Sequence, residues 1–135
     1  MALQYSTALR NAGLDSRETT VGVTPIMRIR TGAAPANCAA ADAGTVLATL
    51  TLPSDWMNAA AAGAKTLLGT WTDASADAAG TAAHWRLYDS AGTTCHMQGT
   101  VTATGGGGDM TVDNVVFAAA QVFNVTTFTL TAGNP

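Results

Sequence analysis

The sequence contains very few charged residues. Asp, Glu, Lys and Arg together make up 11% of its 135 residues, against about 25% in an ordinary soluble domain. Glutamate occurs once, as Glu18, and lysine once, as Lys65. Both residue types are depleted where proteins contact one another. The composition therefore favours a protein that packs permanently against other subunits, although a secreted domain or an Ala/Thr/Gly-rich genome bias is an alternative explanation.

Long apolar runs and concentrated basic runs are also missing. No stretch approaches the ~20 apolar residues of a membrane-spanning helix, so no membrane partner is predicted. The six basic residues are dispersed along the chain. Direct nucleic-acid binding requires a concentrated basic surface, and it is therefore not predicted. Residues 1–20 lack the basic and apolar regions of a signal peptide, which predicts synthesis and use without export.

Cysteine is scarce, and its spacing excludes a zinc or redox CxxC motif. Cys38 and Cys95 each lie beside turn-like sequence. A disulfide between two loops is predicted if the protein meets an oxidising exterior. Two buried thiols are the equally weighted alternative.

Secondary-structure signals predict one helix followed by strands. A partial apolar stripe predicts a helix over residues 3–17. Arg28 and Arg30 alternate with apolar residues, which predicts a strand with a basic outer face. Residues 82–103 predict a β-hairpin. Its first strand is expected to point Trp85 and Leu87 inward and the alternating side chains outward: His84, Arg86 and Tyr88.

The remaining segments complete an all-strand pattern. A long loop is expected over residues 31–44, a helical turn over 54–62, and a flexible connection at the glycines of 105–108. The apolar parity changes near Thr126, which predicts a bulge or burial of both faces. We therefore predict a mainly β chain, an antiparallel β-sandwich of about seven strands with jelly-roll or Ig-like topology. It divides into an N-terminal arm or helix, 1–20, and a sandwich domain, 21–135.

No arrangement of residues predicts catalysis, a metal or a cofactor. His84 and His96 are expected as cross-strand neighbours near Asp89, but a zinc site needs a further assured ligand. Acidic loops supply only part of a calcium ligand set; the residues concerned are Asp73, Ser75, Asp77, Asp109 and Asp113. Three tryptophans could stack on sugars, but core or interface positions are favoured: Trp56, Trp71 and Trp85.

The chain resembles a known family over extended segments of its sequence and not through a catalytic motif. The segments that carry the resemblance are LQYSTALRNAGLDSRETTVG, RIRTGAAPANCAAADAGTVLATLTLPSDWM, GTWTDASADAAGTAAHWRLYDSAGTTCHMQGTVTATGGGGDM and FTLTAGNP. They resemble small virion structural proteins of tailed bacteriophages and prophages. The resemblance implies a non-enzymatic capsid decoration, or cement, protein, made in the bacterial host cytoplasm and located on the capsid surface. Its implied partners are the major capsid protein and copies of itself, as a homodimer or homotrimer.

The N-terminal segment is the predicted contact region, because an arm that orders on a neighbour adds contact area. The predicted interface residues are Leu3, Tyr5, Leu9, Arg10, Leu14 and Trp56. A tail, neck or fibre-attachment protein of the same virion is one alternative. A carbohydrate- or calcium-binding β-sandwich is the second.

Overall fold

Residues 2–133 are described by the computed structural model, and they begin with one helix. Helix α1 spans Thr7–Val21. The Ser6 hydroxyl caps it by accepting a 3.1 Å hydrogen bond from the Leu9 amide, and Gly22 follows its end at φ 91°. Serine satisfies an amide that has no partner inside the helix, and glycine reaches the positive φ that ends helices. The predicted helix is confirmed as an element, but these two caps displace it toward the C-terminus.

Strands account for most of the remaining regular structure, which confirms the mainly β prediction. Within residues 2–133 they are β1 (Ile26–Arg30), β2 (Val46–Thr51), β3 (Ala64–Thr66), β4 (Trp71–Asp73), β5 (Gly80–Thr81), β6 (His84–Tyr88), β7 (Cys95–Ala103), β8 (Met110–Val112), β9 (Val116–Phe117), β10 (Phe123–Val125) and β11 (Thr129–Thr131). Five form a curled, half-barrel sheet in the order β2-β1-β6-β7-β8. The others form two-stranded ladders, β10-β4, β11-β3 and β5-β9.

The large sheet is antiparallel except at its β8 edge, where β7 and β8 run parallel. The prediction of a wholly antiparallel arrangement is wrong at this pair. Parallel neighbours usually need a connection of about a dozen residues, but here the tight turn over 104–109 returns the chain. Gly105 and Gly107 adopt φ of 88° and 77°, and a Cβ on Gly106 would lie 2.7 Å from Thr102. The glycines therefore form a close turn over β7.

The predicted hairpin of β6 and β7 is confirmed, but its outward-facing residues are not. Trp85 and Leu87 are buried, as predicted. The three side chains expected in solvent are 0%, 1% and 2% exposed: His84, Arg86 and Tyr88. The loop over residues 32–44 contacts this second face of β6 through hydrogen bonds. Strand alternation correctly separates the two faces, but it cannot show that both are covered.

The helical turn predicted over 54–62 is absent from the structure, and a β-hairpin takes its place. Ala61 and Ala64 exchange two backbone hydrogen bonds of 2.9 Å across Ala62 and Gly63. Both intervening residues have positive φ, 51° and 76°, as type I′ hairpin turns require. Helix propensity of the alanines is thus overridden by a turn that places β3 beside α1.

The change of apolar parity near Thr126 corresponds to a break between two strands. β10 pairs with β4, whereas β11 pairs with β3. Phe128, between them, is 5% exposed. Its ring packs 5.1 Å from Trp71 and 5.4 Å from Trp85, measured between ring centroids. The core therefore connects the large sheet to the short ladders. Within the described residues, no helix has the length and apolar character needed to cross a membrane.

Candidate functional site: the outer side of the N-terminal helix

The outer side of α1 and the segment before it expose three apolar side chains. Leu3, Tyr5 and Leu9 are 68%, 41% and 57% exposed. Single exposed apolar residues are common on monomers, but a group beside a concave region marks a contact site. We call these three residues and the adjoining groove the N-terminal apolar surface. Their predicted contact with a partner stays a prediction.

The groove lies between α1 and the end of β11. Its volume is about 500 Å³, and its lining residues are Tyr5, Leu9, Arg10, Gly13, Arg17, Thr131, Ala132 and Gly133. Arg10, a predicted interface residue, is half-buried here. Its Nη1 donates a 3.1 Å hydrogen bond to the Ala132 carbonyl. One wall of the groove is therefore fixed to the other by a contact within the chain.

Two predicted interface residues belong instead to the chain's own interior. Leu14 and Trp56 are both 0% exposed. The Trp56 ring packs 6.0 Å from Trp71, between centroids, and its Nε1 donates to the Gly22 carbonyl at 3.0 Å. An aromatic residue with a satisfied N–H is stable in a core. The assignment of these two residues to an interface is corrected: they attach α1 to the strands.

Lys65 on β3 is buried beneath α1 between two acidic side chains. Its Nζ lies 2.7 Å from Asp15 Oδ1 and 2.7 Å from Glu18 Oε2. Nζ also donates to the Asn58 carbonyl at 2.9 Å. Burial by itself lowers the pKa of Lys65, but the hydrogen bonds to the two carboxylates raise that pKa above its usual value. The hydrogen bond from Lys65 lowers the pKa of Asp15, so Lys65 and Asp15 stay charged at neutral pH.

The same acidic side chains bind backbone amides of the hairpin that precedes β3. Glu18 Oε1 accepts from the Met57 amide at 3.2 Å, and Asp15 Oδ1 accepts from the Ala60 amide at 2.9 Å. Asn11 accepts from the Gly63 amide at 2.9 Å. The helix is therefore docked along its length. Removal of residues 1–20 would therefore break several contacts with the strands; the division into an N-terminal arm and a sandwich domain stays a prediction.

Arg86 at the centre of the large sheet holds the loop over residues 32–44. Its guanidinium is 1% exposed and pairs with Asp42. It also donates to the carbonyls of Asn37, Cys38 and Ala40 at 3.0–3.2 Å. Multiple hydrogen bonds to a planar guanidinium compensate for its desolvation. A single buried side chain therefore organises much of this loop.

Asp42 collects hydrogen bonds from two further side chains. Arg30 Nη2 donates to it at 3.0 Å and the Tyr88 hydroxyl at 2.6 Å. Arg30, predicted on a basic outer face, is only 7% exposed, so that prediction is wrong for Arg30. Burial alone would raise the pKa of Asp42, but the bonds from Tyr88 and Arg86 and the charge of Arg30 lower that pKa. Asp42 therefore stays ionised near neutral pH.

These internal ion pairs change the charge of the outer surface. Three of the six basic side chains are buried, Arg30, Lys65 and Arg86. The only lysine is among them, at 2% exposure. Basic groups outside these pairs are Arg10, Arg17 and Arg28, against six aspartates: Asp55, Asp73, Asp77, Asp89, Asp109 and Asp113. The surface is therefore poorer in positive charge than the composition alone indicates.

The predicted histidine pair does not come together. His84 lies opposite Thr100, and its Nδ1 is 2.7 Å from the Gly32 carbonyl. His96 lies nearer the start of β7, at the register shift between β6 and β7. Asp89 accepts from the Thr93 and Thr94 amides, which lowers its pKa. In residues 2–133, no group of three or more His, Cys, Asp or Glu side chains could hold a metal ion.

Three of the four aspartates considered as calcium ligands accept hydrogen bonds within the chain. Asp73 binds the Thr49 and Ser75 amides, at 2.8 and 3.0 Å. Asp77 accepts from the Thr49 hydroxyl at 2.7 Å. Asp109 binds the Thr100 amide at 2.9 Å. The bond from Ser75 to Asp73 closes a local turn, a common use of aspartate, and the other bonds join separate segments of the chain.

Cys38 and Cys95, predicted as a disulfide or as buried thiols, are brought together. Both are half-buried free thiols. Burial raises the pKa of Cys95 to about 11, and a hydrogen bond with the Cys38 thiol contributes to that increase. Whether the pair becomes bonded stays a prediction.

Sequence reasoning missed both ion-pair clusters. One signal was present: Asp15 and Glu18 are three residues apart in the helical segment, so they share a face. The chain matches no protein-family model, no curated protein and no solved structure. The resemblance to virion proteins therefore stays a prediction.

Proposed function

We propose that this chain is a non-enzymatic virion structural protein of a tailed bacteriophage. Its most specific role is capsid decoration, in which it binds between major capsid protein subunits and stabilises the head. The observation that carries the proposal is the N-terminal apolar surface, where Leu3, Tyr5 and Leu9 are exposed and the last two line a groove of about 500 Å³. Apolar side chains exposed together are used for contact with other molecules.

The charge distribution supports permanent assembly. The only lysine is buried between Asp15 and Glu18, so its long, strongly hydrated side chain is absent from the outer surface. Desolvation of such groups opposes tight contact. The location on a virion is supported by the sequence resemblance. A stable interface buries roughly 800 Å² per partner, so we propose that the N-terminal apolar surface is the centre of a larger contact area.

A rigid body behind that surface fits the role. We infer that the short ladders form the second layer of a sandwich over the curled sheet. Phe128 supports this by packing against Trp71 of one ladder and Trp85 of the large sheet. We also propose that copies associate as a homodimer or homotrimer, which light scattering on the purified chain would measure.

Binding to particles tests the proposal. Particles of the virus that carries the gene, prepared without the protein, are incubated with the purified full chain, and bound copies are counted by quantitative mass spectrometry. Decoration predicts copy numbers on the order of hundreds, set by the capsid lattice. Leu9→Asp should lower binding by at least about tenfold, because a desolvated carboxylate opposes apolar contact.

Val116→Asp is the matched control, since Val116 is also 57% exposed but lies on β9. Unchanged binding of Leu9→Asp, or an equal loss with Val116→Asp, would contradict the assignment of the surface. About six or about twelve copies would indicate a tail or neck protein. A calcium-dependent melting shift or glycan binding without particle binding would favour a ligand-binding sandwich.

A further inference from the structure

Two cysteines distant in sequence lie on neighbouring segments, one in the loop over residues 32–44 and one at the start of β7. Cys38 belongs to that loop, and its carbonyl accepts a 3.0 Å hydrogen bond from Arg86 Nη2. Cys95 begins β7, directly opposite Tyr88 on β6. Arg86 binds the Cys38 carbonyl, and Tyr88, which is paired with Cys95, binds Asp42 of the same loop, so the two cysteines lie on segments held together by these side chains. Their positions are set by backbone contacts that do not involve the sulfur atoms.

The surroundings of the pair restrict its movement. The Asn37 side chain accepts from the Ala39 and Ala40 amides, each at 3.0 Å, which closes a turn around Cys38. Cys95 lies at the register shift between β6 and β7, and its Sγ is 3.4 Å from the Met97 carbonyl. Disulfide formation requires two Cβ atoms close together on suitably placed backbone. Arg86 and Tyr88 hold the loop that carries Cys38 against the strands beside Cys95, which favours the proximity that a disulfide requires.

We propose that Cys38 and Cys95 form an intramolecular disulfide that fastens the 32–44 loop to the large sheet. The oxidant is a small disulfide such as oxidised glutathione. One cysteine thiolate attacks the oxidant, forms a mixed disulfide and releases one reduced thiol. The second cysteine then attacks the mixed disulfide and releases another. Two thiols of the protein are oxidised to one disulfide, and one disulfide of the oxidant is reduced to two thiols.

The bond would act where the loop has little other reinforcement. No residue from 32 to 44 is fully buried, so polar contacts from Arg86, Arg30 and Tyr88 hold the loop. A cross-link closing a segment of about 57 residues restricts the unfolded chain strongly. For a domain of this size, the expected increase in Tm is roughly 10 °C.

The test compares the purified full chain after incubation with oxidised glutathione and with dithiothreitol. Trypsin digestion after denaturation and alkylation should give residues 31–65 linked to residues 87–135 in the oxidised sample alone. Tm should be higher by roughly 10 °C in that sample. Amide hydrogen exchange in residues 37–42 should also slow, because the loop opens less often.

Cys38→Ser and Cys95→Ser are matched controls, and each should have the same Tm under both conditions. Two alkylated cysteines after oxidation, or a link found only between separate chains on a non-reducing gel, would overturn the proposal. The peptide map is made from the chain without substitutions, so its result does not depend on whether the two variants fold. None of these measurements depends on particle binding.

Discussion

Helix α1 and the loop over residues 32–44 are both held to the strands by buried ion pairs, but their charges are arranged in opposite ways. Beneath α1, one buried cation, Lys65, faces two carboxylates. Beneath the loop, two buried guanidinium groups, those of Arg30 and Arg86, share the Asp42 carboxylate. The segment on the outside supplies the acid in both cases, while the strands supply the base.

Apolar contact distinguishes the two regions further. α1 buries Leu14 and Val21, so part of its attachment is hydrophobic. The loop buries no residue completely, and its attachment depends on hydrogen bonds and charge. Removing one partner of a buried ion pair is costly because the other charge is left desolvated. The comparison therefore predicts that the loop is more sensitive than the helix to loss of its central ion.

The largest effect is expected from Asp42→Ala. The change leaves Arg30 and Arg86 buried without a carboxylate, which costs about 3 kcal/mol in the free energy of unfolding. Urea unfolding of the reduced protein measures it. Asp55→Ala, at an exposed position, should change the value by less than about 0.5 kcal/mol. A loss below about 1 kcal/mol for Asp42→Ala would contradict the greater sensitivity of the loop to loss of its central ion.

Lys65→Met should lower the free energy of unfolding by a smaller amount, about 2 kcal/mol. Methionine keeps the apolar stem of the side chain, and Asp15 and Glu18, 48% and 19% exposed, can be hydrated. Hydrogen exchange should accelerate in α1 but not in residues 37–42. Arg17→Met on the exposed side of the helix is the control. If Lys65→Met lowers the free energy of unfolding by more than Asp42→Ala does, the helix and not the loop is the more sensitive region.

Acid should weaken both regions together. The folded-state pKa values of Asp15 and Asp42 are lowered from 3.8, so the folded chain binds fewer protons than the unfolded chain at low pH. Stability from these groups is complete above about pH 4 and falls as the pH decreases through the folded-state values. Urea unfolding at several pH values measures this. Lys65→Met should reduce the acid dependence, because it removes the main cause of the Asp15 shift; an unchanged dependence would contradict this.

The smallest predicted effect concerns the start of the helix. Ser6→Ala removes the acceptor for the Leu9 amide and should cost about 1 kcal/mol. Exchange of the first amides of α1 should accelerate, while the Lys65 contacts keep the rest of the helix in place. Ser6→Asp keeps an acceptor and should restore most of the stability. If amide exchange accelerates along the whole helix, the Lys65 ion pairs contribute less to holding α1 against the strands than we infer.

Local patterns in the sequence predict several elements. Alternation around Trp85 and Leu87 correctly predicts β6, and the turn-forming residues correctly place the loop over 32–44. The exposed positions of Leu3 and Leu9 are compatible with the predicted contact segment. These features depend on neighbouring residues, so a single sequence contains their signals.

Features that depend on distant contacts could not be predicted in the same way. Arg86 has the alternation of an exposed residue, and only the overlying loop buries it. The alanines before Gly63 favour a helix locally, but pairing of β3 with β11 requires a turn there. The sequence cannot distinguish an interface from the core at Leu14 and Trp56, because apolar residues alone do not reveal whether their partners belong to the same chain.

The position of Lys65 also determines which chemical methods can detect neighbours of this protein. Reagents that join lysine side chains find no accessible lysine on the folded chain, because the only one is 2% exposed. Lysine-directed cross-linking would therefore miss contacts around it even in a crowded assembly. Carbodiimide coupling through exposed carboxylates such as Asp55 and Asp113 is the suitable chemistry for mapping its neighbours.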